Sequence, residues 1–151
     1  MITIDNQTQN DLEKLHLAIA ERGWMAQVDF FAAQHLNHGV ESSREKTQVV
    51  LHDIVTTFPD IHFEPIQTIV QNDWVVEHCW FVGTHLGVTQ HPYLYYGLLT
   101  GVPATGKTMR VQHTHFYRFK NGLIVEYKVV RDDVGMVKQL GLKLEIGKLN
   151  I

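Results

Sequence analysis

The sequence predicts an α+β fold, with N-terminal helices packed on one face of a curved antiparallel sheet. Three observations carry this reading. Apolar residues recur at helical spacing only as far as Phe58-Pro59. From Ile61 onward the hydrophobic period is two. Asn121-Gly122 joins two alternating runs, and both residues tolerate the positive φ of a tight hairpin turn. Helical runs followed by strand runs, without βαβ alternation, are the order of an α+β domain.

From about Thr8 to Glu21 the chain reads as a helix, with Leu12, Leu15 and Ile19 along one face and Gly23 interrupting it. A second helix is predicted from Trp24 to His35, where Met25, Val28, Phe31 and Ala32 share a side. The following AQHLNHGVESS reads as a loop. Ser42-Ser43-Arg44-Glu45 supplies a Ser-x-x-Glu capping box for a third helix, with Val50, Leu51, Ile54, Val55 and Phe58 inward and Pro59 as its stop. Ile61–Gln71 and Trp74–His85 read as strands around an Asn72-Asp73 turn. Leu86 to about Thr105 is a long loop carrying Tyr93, Tyr95 and Tyr96, of a length that often serves as a lid. A short helical run, GMVKQLG, follows the last hairpin.

That hairpin, Gly106–Asp132, is the stretch around which the chain is organised. Strand side chains alternate between faces, so Met109, Val111, His113, His115, Tyr117 and Phe119 lie on one side. Two imidazoles therefore sit among apolar and aromatic neighbours. On the return strand Ile124, Glu126, Lys128, Val130 and Asp132 are expected to share a side. Asp132 is then a pocket-facing acid at a strand end, suited to moving protons, and Asp133 the cap of the last helix. Strand parity places His78 and Trp80 on one face and His85 on the other, so a bulge near Gly83 is needed to bring both histidines inward.

With 151 residues the chain reads as one domain, 1–151, able to bury a core without staples. A net charge of −3 and no local basic cluster give no electrostatic case for nucleic acid. One cysteine, Cys79, excludes an internal disulfide framework, and the polar first residues do not read as a signal peptide. No apolar run approaches the roughly 20 residues that span a bilayer. These features suggest a cytoplasmic protein that does not contact membranes. Gly101–Thr108 matches G-x-x-x-x-G-K-[ST], but the alternating run after Thr108 is a strand where a phosphate loop needs a helix. His113-x-His115 could contribute to a metal site, yet no third ligand follows at suitable spacing, so no metal is assigned.

Several ordered motifs resemble those of the SnoaL-like polyketide cyclases, within the nuclear-transport-factor-two-like superfamily. They are Phe58-Pro59-Asp60, Gly83-Thr84-His85-Leu86-Gly87, Pro103-x-Thr105-Gly106-Lys107, Arg118-x-x-Asn121-Gly122, Ile124-Val125-Glu126, and Asp132-x-x-Gly135 followed by Gln139-Leu140-Gly141. The resemblance covers about residues 24–141. It implies a cone-shaped α+β barrel with a pocket between sheet and helices, and a homodimer formed through the sheet. It also implies that Asp132 acts as acid/base in a cofactor-free aldol closure, or in a related ketosteroid-isomerase-like proton shuttle. His115 would then serve as oxyanion donor and His85 as a positioning group. The ligand would be a small hydrophobic carbonyl compound, touched by residues drawn from His38, His78, Trp80, Tyr95, His113 and Lys128. The alternative is a non-catalytic binding or dimerisation module on the same scaffold. Lys128 supports it, because a lysine facing Asp132 would keep the carboxylate ionised and a poorer base.

Overall fold

A computed structural model describes residues 6–92 and 97–145. Helix α1 (Asn6–Arg22) buries Leu12, Leu15 and Ala18 at helical spacing and ends at Gly23, whose φ of 88° suits a residue without Cβ. A 3₁₀ turn, Trp24–Phe30, follows, and at Phe31 the backbone extends (φ −83°, ψ 136°). The second predicted helix is therefore only a short turn. Its last part is strand β1 (Phe31–Asn37), and the predicted loop beyond it supplies β2 (Val40–Ser43). The reason lies in the spacing. Phe31 and His35, both buried, are four residues apart, a separation that suits one helical turn or two strand repeats equally. Pairing with the edge of the sheet decides in favour of the strand. The β1–β2 turn is His38-Gly39, with φ of 51° and 78°. Both values are positive, as a two-residue hairpin requires, but histidine stands where asparagine is usual.

Helix α2 (Arg44–Thr57) is capped by Ser43, whose hydroxyl accepts from Lys46 N at 3.3 Å. The cap is thus one residue later than the Ser42 box predicted. Glu45 remains useful in the first turn, near the positive end of the helix dipole. Four long strands complete the sheet: β3 (His62–Gln71), β4 (Trp74–Thr84), β5 (Thr108–Lys120) and β6 (Leu123–Arg131). Helix α3 (Asp133–Gln139) follows directly. The strand order is β2-β1-β6-β5-β4-β3, antiparallel except for the parallel β1–β6 pair. Asn121-Gly122 makes the β5–β6 turn with φ of 52° and 77°, as predicted.

On β5 the alternation is complete, and none of the six inward residues from Met109 to Phe119 is more than 5% exposed. On β6 it is broken. Between Arg118↔Glu126 and Phe119↔Ile124 the ladder slips by one residue, leaving Val125 as a bulge. A slip of one residue exchanges the faces. Ile124 is buried, and Tyr127, Val129 and Arg131 then turn inward, whereas Glu126 and Lys128 turn outward.

The first part of the predicted loop, residues 86–91, is seated on the C-terminal half of α2. Leu86 N and Gly87 N both donate to Thr57 O at 3.0 Å, and the Asp53 carboxylate accepts from Gln90 N and His91 N. Thr89 and Leu99 are fully buried. Beyond Gly101 no helix begins, and Thr108 opens β5, so the phosphate-loop context is missing. Gly87 explains how the loop lies so close, because a Cβ at this position would fall 2.0 Å from Thr56 O. Gly87→Ala is expected to cost roughly 1–3 kcal/mol through this overlap and to lower the melting temperature by several degrees. An unchanged melt would mean that the loop does not depend on this seat.

Candidate active site

Between the inner face of the sheet and the helical side lies a cavity of about 130 Å³. Its walls are largely apolar, built from Phe31, Leu51, Phe63 and Phe81. Its polar groups come mainly from the β5–β6 hairpin: His113, His115, Tyr127 and Arg131. Register explains why they converge. His113 lies opposite Arg131, His115 opposite Val129, and Tyr117 opposite Tyr127.

His115 is 4% exposed, and its Nδ1 lies 2.9 Å from the Tyr127 hydroxyl. Its Nε2 is buried without a hydrogen-bond partner in the protein. If Tyr127 O–H donates to Nδ1, Nε2 carries the proton and is a donor. In the other tautomer the roles reverse. His113 stacks on Phe81 with ring centroids 4.3 Å apart, and its Nδ1 is likewise buried without a partner. Burial pushes the His113 imidazole down to about 2, helped by His115 and the Arg131 charge. Burial and then Arg131 push His115 down to about 3. Both rings are therefore neutral at neutral pH. Burial raises the Tyr117 and Tyr127 hydroxyls, which stay protonated. Arg131 lines the cavity, and its Nε and Nη2 each lie 3.0 Å from an oxygen of Asp133.

The predicted acid is elsewhere. Asp132 is exposed and caps α3, its carboxylate accepting from Gly135 N at 2.8 Å. A Cβ on residue 135 would strike that carboxylate at 2.1 Å, so the Asp132-x-x-Gly135 motif reads as a capping device. The expected division of labour is inverted: Asp132 is the cap, and Asp133 instead pairs with Arg131. The bulge at Val125 also sends Lys128 to the outer face, where it lies near Glu126 and over the Trp74 ring. His78 and Trp80 are on that outer face too, held by Gln112 and beneath Arg110 respectively. His85 points inward without any bulge, but outside the cavity. It packs on Phe58 and accepts from Thr105 N. His38 lines the cavity from the β1–β2 turn, bonded to Val129 through Nε2. Tyr95 lies outside the described residues.

Sequence reasoning missed Tyr127 and Arg131. The signal was the uneven β6 pattern, in which Ile124 is followed by Tyr127-x-Val129 rather than by continued alternation. It also missed Glu77, 1% exposed on β4 directly opposite His115, which forms a 2.8 Å ion pair with His16 of α1. Among the described residues neither Glu77 nor any other carboxylate lines the cavity. Among the described residues no group of three or more His, Cys, Asp or Glu could hold a metal ion. No described helix is long and apolar enough to cross a membrane.

The buried imidazoles fix a pH dependence. Their folded pKa values lie below the unfolded 6.5, so the unfolded chain binds more protons between about pH 6.5 and 3. Stability contributed by each neutral ring is complete above pH 6.5 and falls as the pH drops, by at most about 1.4 kcal/mol per unit per ring. His16, raised by its hydrogen bond to Glu77, opposes this in part. Denaturant midpoints are expected to fall between pH 7 and pH 5, and His115→Gln to flatten the fall. A wild-type midpoint that rises on acidification would contradict the neutral, buried assignment.

The family model of the SnoaL-like polyketide cyclases matches residues 10–140. No curated protein matches the chain. Among solved structures, a candidate SnoaL-like polyketide cyclase from Jannaschia sp. superposes with a TM-score of 0.72 at 17% identity, over 95% of this chain and 98% of that one. IdmH, a candidate polyketide cyclase from Streptomyces antibioticus, gives 0.67 at 23% identity, over 90% and 99%. A ketosteroid-isomerase-like protein from Catenulispora acidiphila, in complex with trimethylamine, gives 0.63 at 15% identity, over 86% and 94%. At these identities the neighbours establish the fold. With the family model matched over most of its length, the chain belongs to the SnoaL-like polyketide cyclase family.

Proposed function

We propose that the cavity binds a small apolar molecule through a carbonyl oxygen and promotes cofactor-free proton transfer beside that carbonyl, as an aldol cyclase or a ketosteroid-isomerase-like enzyme does. The observation that carries the reading is a pair of buried imidazoles, His113 and His115, that line an apolar cavity and whose Nδ1 and Nε2 respectively have no hydrogen-bond partner in the protein. A depressed pKa suits His115 to hydrogen-bond donation, because the ring stays neutral and its N–H can hold a developing enolate oxygen. Tyr127 O–H, donating to Nδ1, would fix the tautomer with the proton on Nε2. The α-proton would pass to His113 Nδ1, leaving an imidazolium beside an enolate, and return to the carbon or to an acceptor oxygen later.

A second reading, binding without turnover, is favoured by one observation: no carboxylate lines the cavity, and both imidazoles are weak bases. Proton–deuterium exchange at the methyl group of acetophenone, followed by NMR in D₂O, separates the two. Wild type is expected to accelerate exchange, and His115→Leu to lose at least 100-fold of that acceleration. Asp132→Asn is expected to change little, since asparagine also caps helices. Binding without exchange would favour the second reading. Loss of exchange in Asp132→Asn would return the acid to Asp132.

The finer expectations of assembly and compartment also belong to this proposal. On the outer face Ile69, Val76 and Phe116 stand side by side, with Val130 in the next row opposite Thr114, and Ile69 and Val130 are 53% and 65% exposed. A second copy packed there would give the expected homodimer. Sedimentation should show a dimer in wild type and a monomer in Val130→Glu, whereas a wild-type monomer would dismiss the contact. The free Cys79 thiol, pushed up to about 12 by burial, suits a single-domain cytoplasmic protein.

A further inference from the structure

We infer that the ligand of this cavity is a single-ring-sized oxyanion, a monocyclic carboxylate or an equally compact stabilised enolate, rather than a fused polycycle. This rests on the carbonyl-ligand reading above and narrows it by size and by charge.

Size comes first. The cavity holds about 130 Å³, and in another protein an apolar cavity of about 150 Å³ is filled by benzene. One ring with a polar substituent matches that volume, whereas two fused rings exceed it. The boundary is set by Trp24 and Phe63, which line both this cavity and a neighbouring open cleft that also touches His16 and His62. Trp24 is fixed by donation from its Nε1 to Leu51 O at 3.2 Å. Phe63 is wedged with its ring 5.1 Å from Trp24, 5.5 Å from Phe81 and 4.9 Å from His115. Phe63 is thus the removable part of the wall, and the specificity-determining residue for length.

Charge comes second. Among the described lining residues Arg131 is the one lysine or arginine and no aspartate or glutamate accompanies it, its partner Asp133 lying outside the lining. A ligand therefore lies beside the cationic member of that pair. The two imidazoles sense the same asymmetry, since Arg131 lowers both. A carboxylate beside Arg131 can also accept from a neutral imidazole N–H, whereas a ligand cation would meet an unfavourable field and no counter-charge.

Calorimetric titration with benzoate, acetophenone and 2-naphthoate tests both parts. Wild type is expected to bind benzoate at least tenfold more tightly than acetophenone, and at least tenfold more tightly than 2-naphthoate. Arg131→Gln combined with Asp133→Asn, which removes both charges together, should bring the benzoate-to-acetophenone ratio towards one. Phe63→Ala should restore 2-naphthoate to within a few-fold of benzoate. Acetophenone binding as tight as benzoate would overturn the charge assignment, and 2-naphthoate binding as tight as benzoate in wild type would overturn the size limit. Either result would leave the carbonyl-ligand reading standing. Failure of every ring-sized carbonyl compound to bind would remove that reading itself.

Discussion

The β5–β6 ladder loses one residue of register beside Val125, and most of what the cavity contains depends on that slip. Without it Glu126 and Lys128 would face the apolar interior, where two unpaired charges would each be costly to desolvate. With it they pair with each other on the outer face, where Glu126 also meets Arg118, at distances typical of exposed ion pairs. The same slip brings the Tyr127 hydroxyl within 2.9 Å of His115 and aims Arg131 across from His113. It also sets where β6 ends, so that Asp132 arrives at the first turn of α3 as a cap. One bulge thus decides the fate of five polar side chains.

The chemistry of the cavity follows from neutrality. An imidazole near its ordinary pKa alternates between charged and uncharged forms around neutral pH, and could serve as a base or an acid. Burial holds His113 and His115 in the neutral form at rest. They serve first as hydrogen-bonding groups, and Tyr127 is held protonated beside them. Because neither ring is a strong base, proton removal by His113 depends on the charge that such a site can hold on a ligand oxygen. The acid that could have taken that role, Glu77, is committed to His16 and lies outside the lining.

Fold class was legible because it rests on long, strongly periodic segments. The β5 alternation, the Asn121-Gly122 turn and the α2 face each carry a local signal that tertiary context reinforces. The Trp24–His35 stretch was not legible, because the spacing of Phe31 and His35 satisfies both periods and only pairing with β6 selects the strand. In the site, His113 and His115 could be read from parity alone. Asp132, Lys128, Tyr127 and Arg131 could not, since their faces depend on a bulge that period-two reasoning does not place. His38 was reachable by resemblance, although its turn was read as a loop.

Buried polar atoms without partners are expensive, about 1–3 kcal/mol each, and this fold keeps several. They are not equivalent. His85 Nε2 is one of them, yet His85 sits in packed structure at the end of β4, bonded through Nδ1 to Thr105 and tilted against Phe58. There the imidazole reads as an anchor, outside the lining of the cavity. His113 Nδ1 and His115 Nε2 differ in one respect only: their rings line a space into which an acceptor or donor could be brought. An unsatisfied nitrogen against a packed wall costs stability without return, whereas the same nitrogen on a cavity recovers its bond when the ligand arrives. The coincidence of orphaned imidazoles with the apolar cavity, more than the presence of histidine in the core, is what makes this face of the sheet a site.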